Sequence, residues 1–406
     1  MQNLLLGNRG KVANSNGLKP LEIKIHLMDH VIARYGEIGV KSKGVRKRMI
    51  ALLKKRIKQS LEYHGMEHEF LEKVQGRIVI KIEHAEEASA IVAEIPGVVS
   101  ASPAIRTTPV LESIKKASDN IDIKEDFGVR VNRVGNCGET SGNIERIVGE
   151  RVQKRSNAKV NLKNPETWIE IDVREEHAFI FSKKDLGCGG FPIGSEGALA
   201  TLISGGIDSP VAAYEVMTRG CDITPIYFYN RPIASEDHIA RVEEVLKILA
   251  RFHPLKRWYY YRIDMQEANT KLMTIERGRM VLHRMIMFRI AEEIALKENL
   301  NGIVTGEAIG QKSSQTPENM AVTSAEIRLP VLRPLLTKRK EEIVESAKKI
   351  GTFESSMIKS ACATMAPRKP ATSMKKEEID ILKEKINFEE LICSTGKTIE
   401  RVSFRI

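Results

Sequence analysis

From residue 31 onward the apolar positions follow a readable grammar. Residues 31–35 read as a short strand, and Val45, Met49, Leu52, Leu53, Ile57 and Leu61 then recur at helical spacing. A short strand is expected near 69–71, and 77–82 alternates as a second one. Residues 85–95 are amphipathic with a helical period, and 97–105 is again extended. The order β-α-β-β-α-β predicts a ferredoxin-like α+β domain over 28–107. Residues 1–27 lack periodicity and read as a poorly ordered extension, with one strand near 21–25. Over 108–183 the pattern predicts a second small α/β domain, with helices at 110–121 and 144–155 and strands at 129–134, 168–173 and 178–182. Residues 184–197 carry five glycines and a proline and read as a linker. Beyond it, strands at 199–203, 224–229, 258–263 and 302–305 alternate with helices at 209–218, 236–252 and 279–297. That alternation predicts a doubly wound parallel sheet over 198–406, so the whole is an α/β multidomain protein.

Composition narrows the class. In 406 residues, 42% hydrophobic and 29% charged positions are the balance of a globular protein. The longest uncharged runs, 197–207 and 95–105, fall short of the ~18 residues a membrane-spanning helix needs. The first residues have too short an apolar core for an export signal. The net charge is +11, and residues 31–80 hold twelve Lys+Arg against five Asp+Glu. Arg46, Lys47, Arg48, Lys54, Lys55, Arg56 and Lys58 lie on one predicted helix. Such a run is either a solvated face or a phosphate-contacting one, and its concentration in one small domain favours the second. The five cysteines, Cys137, Cys188, Cys221, Cys362 and Cys393, form no CxxC pair and no disulfide framework, and no metal site is expected from them. A reducing, cytoplasmic compartment is expected.

The sharpest chemical signal is Ser204-Gly205-Gly206-Ile207-Asp208-Ser209-Pro210. An apolar strand ending in Leu202 and Ile203 runs directly into two glycines and then a helix. Glycines let backbone N–H groups close on an anion, and the helix N-terminus adds its positive end. The Lys of a Walker loop is missing. By spacing alone this is also an ordinary strand–turn–helix, with Asp208 as its cap.

These residues resemble the pyrophosphate-binding loop of the PP-loop ATP pyrophosphatases. Their surroundings are similar to the ThiI family of tRNA 4-thiouridine sulfurtransferases: Arg34-Tyr35-Gly36-Glu37-Ile38, Leu186-Gly187-Cys188-Gly189-Gly190-Phe191-Pro192, Thr305-Gly306-Glu307-Ala308-Ile309-Gly310-Gln311, Ser314-Gln315-Thr316 and Pro330-Val331-Leu332-Arg333-Pro334-Leu335. The likeness covers about residues 30–385. It implies a ferredoxin-like domain, an RNA-binding THUMP domain and a PP-loop domain. It also implies ATP with Mg²⁺, adenylation of O4 of the uridine at tRNA position 8, and displacement of AMP by persulfide sulfur from a cysteine desulfurase. A homodimer and a link to thiamine thiazole synthesis come with it. A PP-loop ligase adenylating a small molecule is the rival, and the basic N-terminal half argues against it.

The same resemblance supplies site residues. Cys362 is the implied sulfur carrier, and Lys359, Arg368 and Lys369 beside it would favour a thiolate; without the likeness it reads as an inert cysteine. Asp208 is implied in adenylation, and Lys340 in meeting phosphate or RNA. Leu202, Ile203, Ser204, Gly205, Gly206, Asp208, Ser209, Tyr227, Phe228, Arg284, Gly306 and Gln315 are implied in holding ATP. Leu202, Ile203, Tyr227 and Phe228 read equally as core, and Lys340, Arg284 and Gln315 as ordinary surface positions. The family form expected is the one without a rhodanese domain, so that Cys362 accepts sulfur directly or with a second thiol such as Cys393.

Overall fold

The computed structural model describes residues 28–71, 74, 76–135, 138–232, 234–254, 258–356 and 371–404. The extension at 1–27, its strand near 21–25, Cys137 and Cys362 lie outside the described residues.

Strands β1 (His30–Arg34), β2 (Glu69–Leu71), β3 (Ile78–Lys81) and β4 (Ser100–Thr107) pair antiparallel in the order β2-β3-β1-β4. Helices α1 (Lys43–Tyr63) and α2 (Ala85–Ala93) are the connections, which makes the unit ferredoxin-like. In α1, Met49, Leu53, Ile57 and Leu61 recur every four residues and are buried, while Lys47, Arg48, Lys55 and Lys58 remain exposed. The second unit holds α3 (Leu111–Ser118), β5 (Asp126–Arg133), α4 (Ser141–Ser156), β6 (Lys159–Val160), β7 (Thr167–Val173) and β8 (Ala178–Phe181). Here β5 runs parallel to β6 and β7, and β7 is antiparallel to β8.

The two units share one sheet. Residues 100–104 of β4 pair with β1, and 105–107 pair with β8. The stretch read as a linker is also structured. Within it β9 (Asp185–Leu186) pairs with β4. Farther on, Gly189 N donates to Val98 O at 2.9 Å, Phe191 N to Thr218 O at 3.0 Å, and Arg56 Nε to Ile193 O at 2.9 Å. Glycine is required at Gly190: its φ is +71°, and a Cβ would stand 1.9 Å from the Thr218 carbonyl oxygen.

The C-terminal half is built from β10 (Ala198–Leu202), α5 (Asp208–Thr218), β11 (Asp222–Tyr229), α6 (Asp237–Ala250), β12 (Trp258–Asp264), α7 (Gln266–Leu272), α8 (Arg279–Lys297), β13 (Ile303–Val304), α9 (Pro317–Ser324), β14 (Val331–Leu332), α10 (Lys340–Ile350), α11 (Phe353–Ser356), α12 (Lys376–Lys385), α13 (Phe388–Gly396) and β15 (Glu400–Phe404). The sheet order is β14-β13-β10-β11-β12-β15. All pairings are parallel except β12 with β15, an antiparallel edge strand that the alternating pattern did not announce. Successive residues feed opposite layers, as strand geometry requires. Leu202, Ile226 and Phe228 pack with Met285 and Ile286 of α8 on one face. Ile203 and Tyr227 pack with Val211 of α5, Val242 of α6 and Ile343 of α10 on the other. No described helix is long and apolar enough to cross a membrane.

Candidate active site

The strand order reverses between β10 and β13, so a crevice opens where their carboxyl ends part, the place where such sheets bind ligands. Ser204–Ser209 lies there, between β10 and the first turn of α5. The loop is closed by its two hydroxyls. Ser209 Oγ accepts from Ser204 N at 2.8 Å and donates to Ser204 O at 3.2 Å, while Ser204 Oγ lies 3.0 Å from Ser209 Oγ and accepts from Gly206 N at 3.3 Å. The loop therefore holds its shape before any ligand arrives. The first N–H groups of α5 point out of the helix end with no intrahelical acceptor, which favours an anion.

Gly306 follows β13 and backs directly onto the loop. A Cβ there would meet Ser209 N at 2.8 Å and the Asp208 carbonyl carbon at 2.9 Å, so any larger residue displaces the cradle. Glu307, next in sequence, is buried between two guanidinium groups: Arg284 Nη1 at 2.7 Å and Arg333 Nε at 2.9 Å. Arg333 Nη2 also donates to Ser324 Oγ at 2.7 Å. Arg284 is thereby fixed from α8 beside the crevice, with Glu307 as its partner.

Asp208 opens α5 and receives charge from a distant element. Lys340 Nζ, at the first residue of α10, is 2.7 Å from Asp208 Oδ1. With its amide turned to donate, Gln311 reaches both Asp208 oxygens at 3.2 Å. Helix α10 packs on α5, and Lys338 pairs with Glu215 across the same contact. Its N-cap, Arg339, is held by Glu342, whose carboxylate accepts from Arg339 N at 2.9 Å. Among the described residues no cluster of three His, Cys, Asp or Glu side chains could hold a metal alone. A phosphate-borne Mg²⁺ needs only one or two carboxylates, and Asp208 fits that part.

The remaining sequence-stated positions fall into place as follows. Leu202 and Ile203 end β10 and are buried, with Ile203 N donating to Ile226 O at 2.9 Å. Tyr227 and Phe228 are buried near the end of β11 on opposite faces. Gln315 is buried before α9, and its Oε1 has no hydrogen-bond partner among the described residues. The structure thus brings Ser204–Ser209, Gly306 and Lys340 into direct contact and sets Arg284 one residue-pair away, through Glu307. It gives no placement for Cys362.

Four groups were not singled out from sequence. Glu307 and Gln311 lie inside segments quoted above, but their partners are set by tertiary contact. His283, beside Arg284, is buried, and its Nε2 donates to Asn230 Oδ1 at 3.0 Å. Burial, with Arg284 and Lys312 adding to it, pushes its pKa down to about 4, so it is a neutral donor. Arg241 of α6 is buried beside the loop as well.

Comparison with known proteins places the whole chain in one family. Three family models match in order: the ThiI ferredoxin-like domain over 30–102, the THUMP domain over 110–183, and the thiamine biosynthesis protein ThiI over 194–388. A probable tRNA sulfurtransferase of Halobacterium salinarum is 35% identical over 360 residues, 86% of this chain and 92% of the relative. The tRNA sulfurtransferase of Thermoplasma acidophilum is 36% identical over 375 residues, 90% of this chain and 75% of that protein. Among solved structures, a 4-thiouridine synthetase in complex with RNA and ATP superposes with a TM-score of 0.81 at 28% identity, covering 93% of this chain and 99% of the other. On these matches the chain belongs to the ThiI family of tRNA sulfurtransferases.

Proposed function

We infer that this protein is an ATP-dependent tRNA sulfurtransferase that converts uridine to 4-thiouridine. The observation that carries the reading is the preformed Ser204–Ser209 cradle at the switch point, with Lys340 bound to Asp208 across it, in a chain of this family. Residues 28–107 and 108–183 present the tRNA, 184–197 joins them to the catalytic part, and 198–406 carries out the chemistry.

Adenylation needs a nucleophile brought to the α-phosphorus and a home for the leaving group. O4 of the uridine at position 8 attacks; the O4–P bond forms, the bond to the pyrophosphate oxygen breaks, and pyrophosphate takes the electron pair while the N3 proton is lost. The cradle formed by Ser204, Gly205, Gly206 and Ser209, above Gly306, receives the pyrophosphate. Lys340 offsets its charge, and Asp208 would hold Mg²⁺, which neutralises phosphate charge when bound. Leu202, Ile203, Tyr227 and Phe228 line the adenosine side at the strand ends, with Arg284 and Gln315 nearby. A persulfide on Cys362 then adds to C4, and AMP leaves with the electrons of the C–O bond. A further thiol, Cys393 among the candidates, is needed to break the remaining S–S bond. A cysteine desulfurase as donor, a homodimer in which one subunit presents tRNA to the other, and a cytoplasmic location complete the reading. The same persulfide chemistry suits the thiazole of thiamine, in keeping with the name of the matching family model.

The test is thiolation of unmodified tRNA with ATP, Mg²⁺ and a persulfide source. Wild type is expected to form 4-thiouridine and release pyrophosphate only with tRNA present. Cys362→Ser should release pyrophosphate but make no 4-thiouridine. Thiolation by Cys362→Ser would remove Cys362 from its role, and pyrophosphate release indifferent to tRNA would favour the small-molecule ligase.

A further inference from the structure

The cations around the crevice are mostly matched with carboxylates: Lys340 with Asp208, Lys338 with Glu215, and both Arg284 and Arg333 with Glu307. Arg241 is different. It projects from the buried face of α6, one residue before Val242 and four before Val245, and is 4% exposed. Its Nε and Nη1 are buried and have no hydrogen-bond partner among the described residues, and it makes no ion pair there. An uncompensated buried charge is costly.

Its stem explains where the charge is aimed. The notch left by the missing side chain of Gly205 is filled by Arg241: a Cβ at Gly205 would stand 2.6 Å from Arg241 Cδ and 3.2 Å from its Cγ. The guanidinium carbon is two bonds beyond Cδ, so the charged end is held at the glycine turn of the cradle. Gly205 therefore does two things at once. It lets the backbone turn toward an anion, and it admits a cation to the same spot.

We propose that Arg241 is the cation that binds the pyrophosphate end of ATP and stabilises it as the α–β phosphate bond breaks, when the electron pair of that bond passes to the pyrophosphate oxygen. The proposal rests on the PP-loop reading of the same site and adds to it a residue contributed by α6. Lys340, already engaged by Asp208, supplies charge from α10, and Arg241 supplies it from α6, against Gly205. The planar fork of arginine suits two phosphate oxygens at once, which a lysine cannot match.

The experiment uses the full chain with Arg241→Met and Arg241→Lys, and measures binding of inorganic pyrophosphate and of AMP, each with Mg²⁺, by calorimetry. Arg241→Met is expected to lose at least tenfold in pyrophosphate affinity and less than twofold in AMP affinity, with Arg241→Lys between it and wild type. Because the charge is unmatched without ligand, the melting temperature of ligand-free Arg241→Met should equal or exceed that of wild type, and pyrophosphate should raise it less for the variant than for wild type. Pyrophosphate affinity unchanged in Arg241→Met overturns the proposal. So do equal losses for pyrophosphate and AMP, or a ligand-free variant that melts lower, since both mark a side chain that only packs the loop. If Arg241→Met does not fold, Arg241→Lys decides: a loss of about threefold or more confined to pyrophosphate supports the assignment, and none refutes it. Wild type binding neither pyrophosphate nor AMP would overturn the PP-loop reading itself, before Arg241 is at issue.

Discussion

His283 shows how one side chain ties the crevice to the stability of the fold. Its ring is enclosed by α8 and the end of β11, donates to Asn230, and stands beside the cations Arg284 and Lys312. All three influences oppose a second proton, and the pKa drops from 6.5 to about 4. Between pH 6.5 and 4 the unfolded chain takes up a proton that the folded chain refuses, so stability is intact above 6.5 and falls as the pH drops. From pH 7 to 5 the loss from this one group is roughly 2 kcal/mol. His283→Gln keeps a donor and removes the titration. Urea unfolding at the two pH values should therefore show the variant losing about 2 kcal/mol less than wild type. Equal losses would mean that the imidazole titrates normally and is not enclosed as the structure has it. Nothing in the sequence marks this residue, because a histidine inside an apolar helix has no pattern of its own.

The segment from β9 to β10 joins two bodies of the fold. It reads as a glycine-rich linker, yet each of its ends is hydrogen-bonded to a different body: Gly189 to Val98 in the ferredoxin-like unit, Phe191 to Thr218 at the end of α5. The Phe191 ring lies under Lys41 at 4.5 Å and Arg219 at 4.8 Å, and Arg219 also pairs with Glu37 at 2.8 Å. The segment is thus fastened both to the N-terminal half and to the helix that opens at the crevice. Gly190→Ala forces a Cβ into the Thr218 carbonyl and strains a positive φ, a combination costing on the order of 1–3 kcal/mol. The expected result is a KM for tRNA raised about tenfold, the equivalent of 1.4 kcal/mol, with AMP and pyrophosphate affinity unchanged. A parallel loss of nucleotide binding would instead place the damage in α5 itself. Long periodic segments were legible: the helix expected over 279–297 is Arg279–Lys297, and the strand expected over 224–229 lies within Asp222–Tyr229. Two-residue strands such as β6 and β14, and the returning edge strand β15, carry no period long enough to read. In the site, Ser204–Ser209 announces itself because strand, glycines and helix are adjacent in sequence. The Lys340–Asp208 and Glu307–Arg284–Arg333 contacts join residues far apart in the chain, and only the folded sheet brings them together.

A polyanion the size of tRNA needs an extended basic surface. The chain carries +11, and the twelve basic residues of 31–80 sit mostly on α1. Lys47, Lys55 and Lys58 follow one another at spacings of eight and three, so they share one stripe of the helix, with Arg48 beside it. The opposite stripe is the core-facing one, and the only ion pair on this face among the described residues is Lys58 with Glu62 at 3.7 Å. Arg56, by contrast, is occupied with Ile193 O and Gln59, and belongs to the joint between the two halves. The four exposed cations can therefore be removed without disturbing that joint. If they meet RNA phosphates, each releases close to one counterion, and changing all four to Gln should reduce the slope of log K for tRNA against log salt by about 3. Titration of tRNA binding at several salt concentrations reads this directly, with pyrophosphate affinity as the control that the crevice is intact. A slope unchanged from wild type would make the stripe an ordinary solvated face. The RNA would then have to be held by the cations of the second unit, and the concentration of charge in α1 would serve solubility instead.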